Sequence, residues 1–432
     1  MSKQMIDSGI DWLGQIPSHW DLKRAKYVFR QSSSKGNANL VLLSATQDKG
    51  VVDKSTLDGV VQVAENADLS SFKTVHINDF VISLRSFQGG FEVSHCEGVI
   101  SPAYTVFRLI EGDYIGYYKH LFKSAGFIDK INSLTVGIRE GKNIQYDDFS
   151  NMLIPTLPRD EQQAIADYLD KKCSEIDEMV SLQERILEEL KAYKQSVIVE
   201  AVTKGLDPSV QMTDSGIKWI GEIPKNWSVI RLKNSCELHG RIGWNGLRSD
   251  EFEEKSYAYL VTGQDFNSAV IDWSKCYQIR QERYEEDPFI QLKNGELLIT
   301  KDGSIGKVAI VSNMDKPACL NSGIFVLRQT KKTFEPKYLY WQLVSPLLKT
   351  YNDYINLGGT TIIHLYQNVF ERMPLIVPST IEEQKAIANY LDTKCSEIDS
   401  LIALKQSKIE SLKEYKKSII YEYVTGKKEV PA

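Results

Sequence analysis

The chain has few cysteines and pairs none of them by spacing. Its six cysteines are scattered singly, with no C-x-x-C. This excludes a disulfide framework or a C-x-x-C zinc site and fits a reducing, cytoplasmic setting. No apolar run reaches 18 residues, so no membrane span is expected. The opening MSKQMIDSGID has no apolar core of a secretory leader. A basic excess is also missing: the net charge is −5 and the pI about 5.8. That weighs against a free-standing DNA binder and leaves room for local basic clusters, or for phosphate contacts shared with partners.

Catalytic signatures are absent as well. KDGSIGKV at 301–308 glances at a phosphate-binding loop, yet Lys301 stands where its first glycine belongs and Val308 where magnesium needs Ser or Thr. It reads as a turn between two strands. No G-x-G-x-x-G follows a strand, and there is no H-E-x-x-H. His76, His95 and Cys96 lack a fourth ligand at metal spacing. The acidic pairs Asp147-Asp148 and Glu285-Glu286 sit in polar sequence and read as solvated charge.

What is present is repetition. DSGIDWLGQIPSHW begins at Asp7 and DSGIKWIGEIPKNW at Asp214. DEQQAIADYLDKKCSEID from Asp160 returns as EEQKAIANYLDTKCSEID from Glu382, and LKAYKQSVIVEAVT from Leu190 as LKEYKKSIIYEYVT from Leu412. The order is phrase, variable block, helical block, then the same again. Joining tail to head would give a two-fold circular repeat, so the chain ends are expected to meet.

Residues 159–204 and 379–425 contain neither Pro nor Gly. Their apolar residues step by four and three: Ile165, Leu169, Ile176, Met179, Ile186, Leu190, Tyr193 and Val197, then Ile387, Leu391, Ile398, Leu401, Leu412, Tyr415 and Ile419. This predicts two long helices with a coiled-coil seam, interrupted by Lys172, Gln183, Lys394 and Lys405 and suited to an antiparallel pair. Thr380 and Glu383 form a capping-box pattern, and Gly205 and Gly426 mark the far ends. About 45 residues at ~1.5 Å each give roughly 65 Å. Cys173 and Cys395 are repeat equivalents and read as packing residues.

The variable blocks carry short β-type runs: LVLLSA, FVISLR and YTVFRL, then AYLVTG, ELLIT, KVAIV and GIFVLR. Each ends in a helical stretch, YIGYYKHLFKSAG or PKYLYWQLVSPLLK, and a glycine-bearing loop. The fold class is α+β: two β-rich domains separated by two long antiparallel helices with pseudo-two-fold symmetry. The expected segments are a strut at 1–20 that pairs with the C-terminal end, a β-rich block at 21–158, a helix at 159–206, a second strut at 207–227, a β-rich block at 228–378, a helix at 379–426 and a tail at 427–432. Trp12, Trp20, Trp219 and Trp227 are expected to anchor the struts by burying large apolar area.

Loops and strand ends supply the candidate binding residues. These are Arg85, Ser86, Gln88, Arg139 and Lys142 in the first block, and Arg241, Asn245, Arg248, Lys301, Ser304, Thr360, Thr361 and His364 in the second. Arg, Lys, Gln and Asn match base edges, and Ser, Thr and Lys suit phosphates.

The repeated phrase, the EQxAIAxYLDxKCxEID helix starts and the two-block order resemble the specificity subunit of type I restriction–modification systems, over essentially the whole chain. The resemblance implies that each variable block is a target-recognition domain reading one half of a split double-stranded DNA sequence. It implies a non-catalytic subunit whose helices dock two modification (methyltransferase) subunits, with restriction–translocation subunits joining. No cofactor is expected in this chain. S-adenosylmethionine belongs to the modification subunits, and ATP with Mg2+ to the restriction machinery. Two other readings stay open on sequence: a non-catalytic coiled-coil scaffold that binds proteins, and a stand-alone nuclease or methyltransferase, which the missing nucleotide signatures oppose.

Overall fold

The computed structural model describes residues 4–35, 40–46, 49–57, 69, 71–82, 90–110, 112–134, 144–241, 247–355 and 364–431. The chain divides into two compact units. One comprises Met1–Glu184 with Gln406–Ala432, the other Arg185–Lys405. The helices, in chain order, are α1 (Ile115–Leu121), α2 (Ala125–Leu134), α3 (Tyr146–Asn151), α4 (Arg159–Lys204), α5 (Gln281–Glu285), α6 (Pro336–Val344), α7 (Pro346–Ile355), α8 (Gln367–Phe370) and α9 (Ile381–Val424).

Each unit is built on a four-stranded antiparallel sheet. In the first unit the strand order is Phe29–Ser32, Thr105–Leu109, Phe80–Ile82, Phe91–Val93. In the second it is Cys236–His239, Ile324–Gln329, Leu297–Thr300, Val308–Ile310. The registers superpose the two cores position by position. Phe29, Phe80, Phe91 and Phe107 correspond to Cys236, Leu297, Val308 and Leu327, and all eight are buried. In the first unit these rings pack with Phe122, Phe127 and Phe149 in edge and tilted contacts, such as 5.4 Å between Phe29 and Phe107 and 5.0 Å between Phe91 and Phe149. The same four sheet positions are thus aromatic in one unit and aliphatic or cysteine in the other. Each unit carries a smaller sheet as well: in the second, Tyr277–Ile279, Ala258–Val261 and Ala318–Leu320, the last two parallel, and in the first, Leu43–Thr46 against Gly50–Asp53, with Leu42 bridging Val99 in parallel.

Each expected helical stretch after the sheet is two helices. Between α6 and α7, Pro346 holds Ser345 in an extended conformation (ψ 159°). Between α1 and α2 there is no proline, but Ser124 Oγ donates to the Leu121 carbonyl at 2.6 Å, as Ser345 Oγ does to Gln342. Each serine takes a carbonyl that continuing the helix would need.

The repeated phrase forms a hairpin in both units, pairing Met5–Asp7 with Gln15–Pro17 and Met212–Asp214 with Glu222–Pro224. Asp7 and Asp214 each accept the amide two residues on at 3.0 Å, which turns the chain into glycines at φ +68° and +73°. The tryptophan that closes each phrase lies on the glycine that ends a long helix. A Cβ on Gly205 would stand 3.1 Å from the Trp227 ring, and one on Gly426 3.0 Å from Trp20 and 2.4 Å from Pro17. Both glycines also have φ above +70°, so each is required twice over. In the first unit Lys427 Nζ donates to the Leu13 carbonyl at 2.6 Å, and Tyr421 Oη to that of Trp12 at 3.3 Å.

Within each unit the halves of α4 and α9 pack antiparallel along a strict heptad. The buried heptad positions of α4 are Ala166, Leu169, Cys173, Ile176, Val180, Leu187, Val197 and Ala201; those of α9 include Ala388, Leu391, Cys395, Ile398, Ile409, Leu412, Ile419 and Tyr423. This corrects the expected seam: Met179, Tyr193, Leu401 and Tyr415 are 44–54% exposed. Gln183 and Lys405 do fall on the heptad, but Lys172 and Lys394 lie off it and pair with Glu175 and Glu397 on their own helices. Two further lysines occupy heptad positions and reach across. Lys416 Nζ sits 2.6–2.7 Å from both Asp177 oxygens in the first unit, and Lys194 Nζ the same from Asp399 in the second. Polar heptad residues of this kind fix register.

A buried glutamine in the first turn of each long helix ties that helix to its domain. Gln162 Oε1 accepts the Tyr114 amide at 2.6 Å, and its Nε2 donates to Asp113 Oδ1 and the Leu157 carbonyl. Gln384 Oε1 accepts the Glu335 amide at 2.8 Å and its Nε2 donates to the Thr333 carbonyl at 3.0 Å. Tyr114 and Glu335 cap α1 and α6. Gln384→Leu strands a half-buried N–H and a half-buried C=O, so a loss of about 2 kcal/mol is expected, within the ~1–3 kcal/mol typical of one unsatisfied group. Urea unfolding of Gln384→Leu against the parent chain checks it; an unshifted midpoint would show that water replaces the amide.

Candidate nucleic-acid interface

The second unit gathers several sequence-predicted residues at one end of its sheet. The turn between Leu297–Thr300 and Val308–Ile310 is knotted onto Thr300. Its Oγ1 donates to the Ser304 carbonyl at 2.5 Å and accepts the Lys307 amide at 3.0 Å, and its carbonyl accepts the Gly306 amide at 3.0 Å. Gly303 and Gly306 take φ +67° and +82°, as a compact turn demands. The KDGSIG segment is therefore a strand-connecting turn, as its sequence indicates.

That turn holds a second segment beside it. The Leu365 amide donates to the Lys301 carbonyl at 3.0 Å, and His364 Nδ1 pairs with Asp302 Oδ1. The His364 ring lies 4.6 Å from that of Tyr366, and Lys301 Nζ stands 4.7 Å over the Phe325 ring. Lys301, Ser304 and His364 thus share one face, with Ser304 exposed. The turn Asn321–Gly323 adjoins them, since the Lys301 amide donates to the Gly323 carbonyl at 2.9 Å. Asn321 and Ser322 add amide and hydroxyl groups to this face. Sequence reasoning missed them; the signal was the short polar NSG between two β-type runs.

Arg241 departs from expectation. Read as a loop residue, it is 2% exposed. Its Nε donates to the Leu320 carbonyl at 3.1 Å, and its Nη2 lies 3.5 Å from Cys319 Sγ. The guanidinium fastens two sheets together, so the exposed position assumed for it is corrected. Arg248 is exposed but stands apart, its amide donating to Glu251 Oε2 at 2.8 Å. Arg85, Ser86, Gln88, Arg139, Lys142, Asn245, Thr360 and Thr361 lie outside the described residues.

Nothing among the described residues assembles a metal centre. His76 belongs to an ion-pair cluster with Arg108 Nη2 at 2.9 Å and the buried Asp79 at 3.4 Å. Asp147 and Asp148 sit in the first turn of α3, where the helix dipole favours them, while Glu286 pairs with Arg283. Burial pushes the thiols of Cys173 and Cys395 up to about 11 and that of Cys236 to about 12. They are packing groups with little thiolate at neutral pH. No helix among the described residues is long and apolar enough to cross a membrane.

Comparison with known proteins follows this geometry. A family model for the type I restriction modification DNA specificity domain matches residues 224–414. The MjaVIII specificity subunit of a type I restriction enzyme from Methanocaldococcus jannaschii is 27% identical over 65% of this chain and 63% of its own length. The MjaX specificity subunit of the same organism is 24% identical over 96% of this chain and 95% of its own. A chain from a solved structure on complex assembly and conformational transition of the type I restriction–modification system is similar in fold. Its TM-score is 0.72 at 15% identity, over 95% of this chain and 98% of that one.

Proposed function

We propose, for a chain that belongs to the DNA specificity subunits of type I restriction–modification systems, that its two β-rich blocks each read one half of a bipartite duplex target and that its long helices dock two modification subunits. The observation that carries this reading is the pairing of sameness with difference. The two units share strand order, register and the residues that seat the sheet on the long helices, such as Trp20 with Trp227, Tyr117 with Tyr338 and Phe149 with Phe370, yet the sheets themselves differ, with Phe29, Phe80, Phe91 and Phe107 in one where Cys236, Leu297, Val308 and Leu327 stand in the other. One frame repeated with unlike surfaces suits a target with unlike halves.

Recognition of both halves places an adenine in each for extrusion into a docked methyltransferase. This chain supplies address and geometry. S-adenosylmethionine acts with the modification subunits, and ATP and Mg2+ with the restriction–translocation subunits. In this reading Lys301, Ser304 and His364 meet the second half-target, with Asn321 and Ser322 beside them. Arg248 contacts the duplex elsewhere, and the first half-target is met by Arg85, Ser86, Gln88, Arg139 and Lys142. Asn245, Thr360 and Thr361 complete the second set. Half-sites about one helical turn, ~34 Å, apart suit a two-domain reader.

Mapping methylated adenines across the host genome with and without this chain tests the reading. Loss of a split motif, two short defined halves around a fixed gap, is the expected result. An unchanged map in a host whose modification subunits are expressed would overturn it.

A further inference from the structure

A cleft of about 830 Å3 in the second unit lies between the second copy of the repeated phrase, the end of α7 and the strand pair Ser228–Arg231 and Pro374–Val377. Lys218, Arg231 and Arg372 line it, together with Trp219, Tyr351 and Tyr354. No Asp or Glu is among its lining residues. All three cations are exposed, and none makes a side-chain hydrogen bond or ion pair among the described residues. Burial raises the Tyr351 phenol, while the Arg372 and Arg231 charges lower it.

In a chain of net charge −5, three unpaired cations around one concavity form a local anion site. Arg and Lys carry most phosphate contacts, with Tyr hydroxyls adding donors. The first unit does not repeat the arrangement. Asp11 stands where the second phrase has Lys218. Strand register matches Pro374 to Leu153, which sets Asn151 at the place of Arg372 and Asp147 at that of Asn368; of the three cations only Arg231 has a charged counterpart, Arg24, while Lys23 stands where the cleft has Ile230. Two identical docked subunits require like surfaces on both units, whereas DNA contacts are free to differ between them.

We infer that this cleft is a phosphate site that grips the DNA backbone beside the second half-target, through Lys218, Arg231 and Arg372. The inference rests on the proposed recognition role and adds a sequence-independent grip to it. The test uses the full chain assembled with its modification subunits. The probes are a labelled duplex carrying the mapped motif and the same duplex with its second half scrambled. Arg231→Gln/Arg372→Gln removes two charges, and Arg231→Lys/Arg372→Lys restores them.

Each phosphate contact contributes about 0.9 to the slope of log affinity against log salt. Between about 50 and about 200 mM salt the parent complex is therefore expected to lose about tenfold more affinity than the Gln pair. The difference should be equal on both duplexes and abolished in the Lys pair. Parallel salt slopes for parent and Gln pair would overturn the inference. So would release of the modification subunits by the Gln pair with an unchanged slope, which would assign the cleft to a protein partner. If the parent complex binds both duplexes equally, the recognition reading falls; the slope difference then still decides the cleft.

Discussion

Exchange of residues 228–378 for the same block of a related specificity subunit is expected to rewrite one half of the methylated motif and leave the other unchanged. The reason lies at the neck of the block. Its first strand, Ser228–Arg231, pairs antiparallel with its last, Pro374–Val377, so the chain enters and leaves the block through neighbouring strands, about 4.8 Å apart. The first block closes in the same way, with Asp21–Arg24 against Leu153–Thr156. An exchange cut outside both strands carries the whole pair with it and leaves no unpaired edge. Ties to the helices must be kept, among them two buried ones and the bonds of Lys337 and Trp341 to Asp392. Gln384 has to find the amide that caps α6, and Tyr338 Oη the Val202 carbonyl, 3.3 Å away at the end of α4. Methylation mapping reads the outcome directly. A change in both halves, or in neither, would defeat the modular reading, and insoluble protein would point to those ties.

Trp227→Ala is expected to destabilise the unit of residues 185–405 by about 3–5 kcal/mol, the usual cost of removing a buried aromatic side chain. Trp227 is 6% exposed and covers Gly205, and its Nε1 donates to Glu383 Oε1 at 3.0 Å. The second Glu383 oxygen accepts the Ser379 amide at 3.2 Å, while the Glu383 amide donates to Thr380 Oγ1 at 3.1 Å. The capping box thus forms one of its limbs as the sequence indicates, and the other is displaced by one residue. Removing the indole therefore opens a cavity over the end of α4 and takes one hydrogen bond from the Glu383 carboxylate at the start of α9. For a unit of this size the loss corresponds to a fall of roughly 6–20 °C in its melting transition. Trp227→Phe keeps most of the packing and loses the hydrogen bond, so a cost nearer ~1 kcal/mol is expected. Equal melting of Trp227→Ala and parent in calorimetry would show that the ring carries no such load.

The sequence by itself determined what depends on neighbours along the chain. Freedom from Pro and Gly over 159–204 is a local property, and a helix of those bounds follows from it. Gly303 and Gly306 announce the turn after Leu297–Thr300 because only such residues adopt its φ values cheaply. The two phrases, expected as struts, share one local turn, because Asp-Ser-Gly folds through its own side chains. Repetition then set two like units, and the family resemblance set their role.

Tertiary structure decided what depends on residues brought from afar. Met179 and Tyr193 fit a helical apolar stripe as well as Cys173, Val180 and Leu187 do. Only the partner helix, which repeats every 3.5 residues rather than 3.6, chooses the second set. Arg241 looks like any loop arginine until strand Ala318–Leu320 arrives and takes its guanidinium inside. Lys218, Arg231 and Arg372 lie in three separate segments, each an ordinary surface cation in sequence. Their convergence on one cleft exists only once the hairpin, the strand pair and α7 have packed, because charge placement is a property of the assembled surface and not of any stretch of chain.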